Sequence, residues 1–134
     1  MRKALLYDQN SNRAVKIYID ESESAAIEEF ITGTNSNIKT YSRFKALVFE
    51  GRRNNALYSK KNICKECDNL YAINFTSGRN QNDRLYCLEF HDGIRRIVLA
   101  RLYEGKKSQK MNKRLQDSIR PVCKWQYTFE DEKF

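Results

Sequence analysis

Residues Arg84–Tyr103, RLYCLEFHDGIRRIVLARLY, decide the fold. Two apolar runs flank Asp92-Gly93, a dipeptide favoured in two-residue type I′ turns, and together they spell an antiparallel hairpin. A two-residue loop makes His91 face Ile94. One face of the ladder then carries Phe90/Arg95, Leu88/Ile97, Tyr86/Leu99 and Arg84/Arg101. The other carries Glu89/Arg96, Cys87/Val98 and Leu85/Ala100. Glu89/Arg96 is a favourable cross-strand ion pair, whereas Arg84/Arg101 sets like charges directly opposite each other.

Working outward, KALLY and RAVKIYID read as two short strands. In the second, Val15, Ile17 and Ile19 alternate with Lys16 and Tyr18, the period of a half-buried strand. DESESAAIEEFITG reads as a helix capped by Asp20, with Gly33 suited to a left-handed C-terminal position. A second helix spans roughly Ser36 to Glu50, lined by Ile38, Tyr41, Phe44, Leu47 and Val48 and ended by Gly51. RRNNALYSKKNICKECDN lacks periodicity and reads mostly as loop, and NLYAINFT alternates as a strand. A short helix over about Ser108–Ile119 and a β-type tail, CKWQYTF, complete the chain. The order predicts an α+β domain: an N-terminal helical hairpin packed on a mostly antiparallel β-sheet, with a short C-terminal helix. At 134 residues, the whole chain is expected to form one domain.

The net charge of +8 points to a polyanionic or acidic partner. Between Arg79 and Arg114 lie ten basic and four acidic residues, against fifteen and thirteen in the rest of the chain. Lys106, Lys107, Lys110, Lys113 and Arg114 follow directly on the apolar strand. Such a run is either a solvated helix start or a phosphate-binding edge. With Arg79, Arg84 and Arg101 it can converge at one end of the sheet, and Tyr86 and Tyr103 lie near enough to stack on bases. Arg84 and Arg101, facing each other, would wait for an anion or pair with Asp83 and Glu104.

Cys64 and Cys67 have C-x-x-C spacing, but Cys87 and Cys123 stand apart in other apolar runs. All four are therefore expected as reduced thiols, with no metal and no cofactor. No apolar run reaches the ~18–20 residues of a membrane span, and the N-terminal apolar run is too short for a signal peptide. A cytoplasmic protein is expected.

The chain resembles the RelE superfamily of bacterial toxins, in particular the HigB branch of phage-derived type II toxins. LYAINF (Leu70–Phe75), DRLYCLEF (Asp83–Phe90), RIVLARLYEG (Arg96–Gly105) and KKSQKMN (Lys106–Asn112) carry the likeness, over about residues 13 to 120. The resemblance implies a metal-independent endoribonuclease that cleaves mRNA, often on the ribosome, and is held inactive by a cognate antitoxin protein. It implies Arg84, Lys107 and Lys110 as catalytic residues, with Arg79, Arg101, Lys106, Lys113 and Tyr86 binding RNA. Ala72 and Asn74 stand where the family strand often has glutamate or a cation and usually has arginine. A cleavage-incompetent relative that binds RNA, the ribosome or a partner protein is the alternative.

Overall fold

In a computed structural model that describes residues 1–63, 65–75, 82–105 and 113–133, the chain builds a seven-stranded mixed sheet. β1 (Arg2–Gln9) and β2 (Val15–Asp20) form a hairpin. Two helices follow, α1 (Ser24–Thr32) and α2 (Asn35–Phe49). Then come β3 (Tyr58–Lys60), β4 (Leu70–Phe75), β5 (Asn82–His91) and β6 (Arg95–Gly105). α3 (Lys113–Ile119), a 3-10 turn over Arg120–Lys124 and β7 (Tyr127–Lys133) end the chain. The strand order is β3-β4-β5-β6-β2-β1-β7. Neighbours are antiparallel except β2 with β6 and β1 with β7, which run parallel.

Both faces of the sheet are covered. Val15, Ile17 and Ile19 of β2 pack with Leu85, Cys87, Ile97 and Leu99 beneath Ile27 and Ile31 of α1 and Phe44 and Leu47 of α2. On the opposite face Tyr18, Tyr86, Leu88, Val98 and Ala100 pack against Ile119, Val122 and Tyr127. β2 is therefore enclosed on both faces rather than half-buried, with Tyr18 and Asp20 both inaccessible to solvent and only Lys16 partly exposed. The buried Asp20 carboxylate is satisfied by Arg2 Nε at 2.7 Å, the Tyr127 hydroxyl at 2.6 Å and the Ser22 amide at 2.8 Å. This group ties the starts of β1 and β7 to the end of β2. No described helix is long and apolar enough to cross a membrane.

Several expectations are corrected. The segment between α2 and β4 is mostly loop, as expected, but it also holds a short strand, Tyr58–Lys60, that pairs with β4 and buries Tyr58. Along α2, Tyr41, Phe44, Leu47 and Val48 are buried as expected, but Ile38 is exposed and Asn37 and Thr40 take the inward positions at the start of the helix. Gly33 is right-handed at φ −72°, not left-handed. There a Cβ would meet the Glu29 carbonyl oxygen at 2.8 Å, so close approach rather than backbone sign excludes a side chain. The Thr34 hydroxyl starts the next helix by accepting from the Asn37 amide at 3.0 Å.

The largest correction concerns the hairpin register. His91 pairs with Arg95, so Asp92, Gly93 and Ile94 form a three-residue loop, with Gly93 at φ +80°. Phe90 then faces Arg96, and Glu89 faces Ile97 instead of Arg96. The register shifts again between Tyr86 and Cys87, where Ala100 is the extra residue of β6. Arg84 consequently faces Tyr103, and Arg101 faces Tyr86, so the expected arginine pair does not form. The parallel pairing of β2 with β6, Ile17 to Ile97 and Ile19 to Leu99, sets which side chains of β6 look toward the helices.

The cysteines are also corrected. Cys67 and Cys123 form a disulfide, with Cα atoms 5.0 Å apart and a sequence separation of 56. Both lie under the face opposite α1 and α2, where packing of the 3-10 turn over the β4 approach brings distant segments together. Cys87 is a buried free thiol, and Cys64 lies outside the described residues.

Candidate nucleic-acid interface

The end of the sheet where β4 stops, β5 starts and β6 stops gathers the described part of the basic edge. Asn74, Arg84 and Tyr103 occupy one rung across the three strands, and Ala72, Tyr86 and Arg101 occupy the second one along, on the same face. Arg84 and Tyr103 are half-buried, and Tyr86 is inaccessible. Burial pushes the Tyr86 phenol up, with the neighbouring Arg84 guanidinium opposing that shift. Its hydroxyl makes no hydrogen bond among the described residues. Lys61 is lowered by burial and, secondly, by the Arg84 charge. Lys61 itself lies beside Leu70, at the opposite end of β4 from the Arg84 rung, so the Arg84 charge acts on it at a distance.

Arg101 is held differently. Its Nε donates to the Glu23 carboxylate at 3.1 Å and an Nη donates to the Ser118 carbonyl at 3.3 Å. The guanidinium also lies over the Trp125 ring, 4.9 Å from its centroid. Arg101 therefore joins β6 to the turn before α1 and to the end of α3. Arg84 and Arg101 sit on the same face as diagonal neighbours. Of the other expected site residues, Arg79, Lys106, Lys107 and Lys110 lie outside the described residues, as does the side chain of Lys113, whose backbone opens α3.

A second polar group, on the face covered by α2, was not singled out by residue pattern. The buried Glu89 carboxylate accepts from Arg95 at 3.0 and 2.8 Å, from the Tyr58 hydroxyl at 2.5 Å and interacts with His91 Nε2 at 2.9 Å. Burial alone would raise this carboxyl; the bonds from Arg95 and Tyr58 outweigh it and hold it below its ordinary range. The signal was present as Glu89, His91 and Arg95 on alternating positions. It emerges only with a three-residue loop, because the two-residue register sends Arg95 to the other face.

No protein-family model matches the chain, and no curated protein is significantly similar to it.

Proposed function

We propose that the protein binds RNA through its basic sheet end and acts as a metal-independent endoribonuclease of the toxin type, resembling RelE and HigB toxins. Its partners are mRNA, engaged on the ribosome, and a neutralising antitoxin protein. One observation carries the reading: β6 ends at Gly105 opposite Asn82, two residues from the Arg84–Tyr103 rung. Lys106 is the next residue in the chain, so the lysine run starts from the same end of the sheet as Arg84. Arginine suits the phosphate geometrically, and lysines add point charge to a transition state with growing negative charge. Cleavage would proceed by attack of the ribose 2′-hydroxyl on its own phosphate, forming a 2′,3′-cyclic phosphate as the bond to the 5′-oxygen of the next nucleotide breaks. The 2′ proton passes to water, water protonates the leaving 5′-oxygen, and Arg84, Lys107 and Lys110 stabilise the charged phosphate oxygens. Arg79, Lys106 and Lys113 add sequence-independent phosphate contacts.

A binding-only role is favoured by one feature. The Tyr86 hydroxyl, a proton-transfer candidate near Arg84, is inaccessible to solvent and burial raises its phenol, which makes it a poor group for moving a proton. Incubating the protein with mRNA, with and without ribosomes, in EDTA separates the two roles. Cleavage that is lost on Lys107→Ala and Lys110→Ala supports the enzyme. Retention of RNA without any new 5′ ends supports binding alone.

A further inference from the structure

We propose that a cleft on the α2 face of the sheet, separate from the Arg84 edge, binds a nucleoside monophosphate. The cleft lies where α2 ends, over β3, β4, β5 and the start of β6, and encloses about 540 Å³. That is within the ~300–1,000 Å³ of small-molecule sites and too small for a folded polymer.

Charge selects the anion. The cleft is lined by Arg52, Arg53, Lys60 and Arg95, with Glu89 as its one carboxylate. Glu89 is spent on Arg95 in a two-pronged ion pair. Arg52 is engaged by Glu50, a neighbour outside the lining, at 2.5 Å. Arg53 and Lys60 have no ion pair among the described residues. Both are exposed, which by itself fits solvated surface cations. Here they rim a concave site whose floor is already neutralised, so a phosphate entering it meets a surplus of positive charge. His91 adds a further group: one ring nitrogen is held by Glu89, which leaves the other for a ligand oxygen.

The aromatic part of the ligand follows from Tyr71. Its ring stacks on the buried Tyr58 with centroids 5.2 Å apart and planes 18° from parallel. Tyr58 is fixed by its bond to Glu89, so Tyr71 is presented as a braced, half-exposed plane in the cleft wall. A purine can continue that stack.

The site does not rest on the ribonuclease reading, because it uses the opposite face of the sheet. Lys60 lines the cleft while the next residue, Lys61, feels Arg84. Calorimetric titration of the full chain with AMP, adenosine and inorganic phosphate tests it. AMP is expected to bind at least tenfold more tightly than either fragment. The Arg53→Ala/Lys60→Ala double variant, which changes only exposed side chains, should lose at least tenfold in AMP affinity. Tyr71→Leu should bring AMP down to the level of phosphate, and Arg84→Leu, on the other face, should leave AMP affinity unaltered. Absence of AMP binding, equal affinity for AMP and phosphate, or full AMP affinity in the double variant would overturn the proposal.

Discussion

Arg95 holds both carboxylate oxygens of Glu89, at 3.0 and 2.8 Å, across a hairpin whose ladder does not pair them directly. Glu89 is enclosed while Arg95 keeps partial access to water. The folded carboxyl is held below its ordinary value of 4.5. Its stabilisation is therefore complete above that pH and drains away as pH falls through the lower folded value. Glu89→Gln should cost about 3 kcal/mol near neutrality, since it leaves a largely desolvated guanidinium without its counter-charge. It should also flatten the acid limb of the stability curve below 4.5. Chemical denaturation across that range measures both, and an unchanged acid limb would contradict the assignment.

Reduction of Cys67–Cys123 should destabilise the protein. Closing 56 residues of chain is worth about 4 kcal/mol in the chain-entropy description, and roughly 10 °C in melting temperature. A non-reducing digest should yield one cross-linked peptide pair containing Cys67 and Cys123. Four reactive thiols in the denatured, unreduced protein would exclude the bridge. A bond of this kind belongs to oxidising surroundings, so the same measurement on protein taken directly from cells bears on the cytoplasmic expectation.

Arg84→Leu should weaken RNA binding for all sequences alike and reduce the slope of log affinity against log salt by about 1. Filter binding at several salt concentrations checks it, and an unaltered slope would remove Arg84 from the interface.

Arg101→Leu should do the reverse. Losing the bonds to Glu23 and the Ser118 carbonyl, together with the stack on Trp125, should cost about 1–2 kcal/mol of stability. RNA affinity of the folded fraction should stay close to that of the unaltered protein. A variant of full stability with impaired RNA binding would restore the sequence-based role.

The two arginines mark the limit of what residue order conveys. Local chemistry was enough to place β1, β2, β4, β5 and β6 as strands, α1 and α2 as helices, and a turn at Asp92-Gly93. Side-chain period, capping residues and glycine act within a few positions of themselves. The same information located the concentration of positive charge. It did not locate the β5–β6 register. Leu85 to Leu88 and Ile97 to Ala100 are buried whichever way they point, so two alternative ladders looked equally apolar. The choice rests on long-range contacts that residue order does not display, among them the parallel pairing of β6 with β2, about 80 residues away. That choice separated Arg84 from Arg101 and brought Glu89, Arg95 and Tyr58 together. The Cys67–Cys123 bridge has the same origin: the composition supplied the thiols, and the packing of the C-terminal turn over the second face of the sheet decided which two would meet.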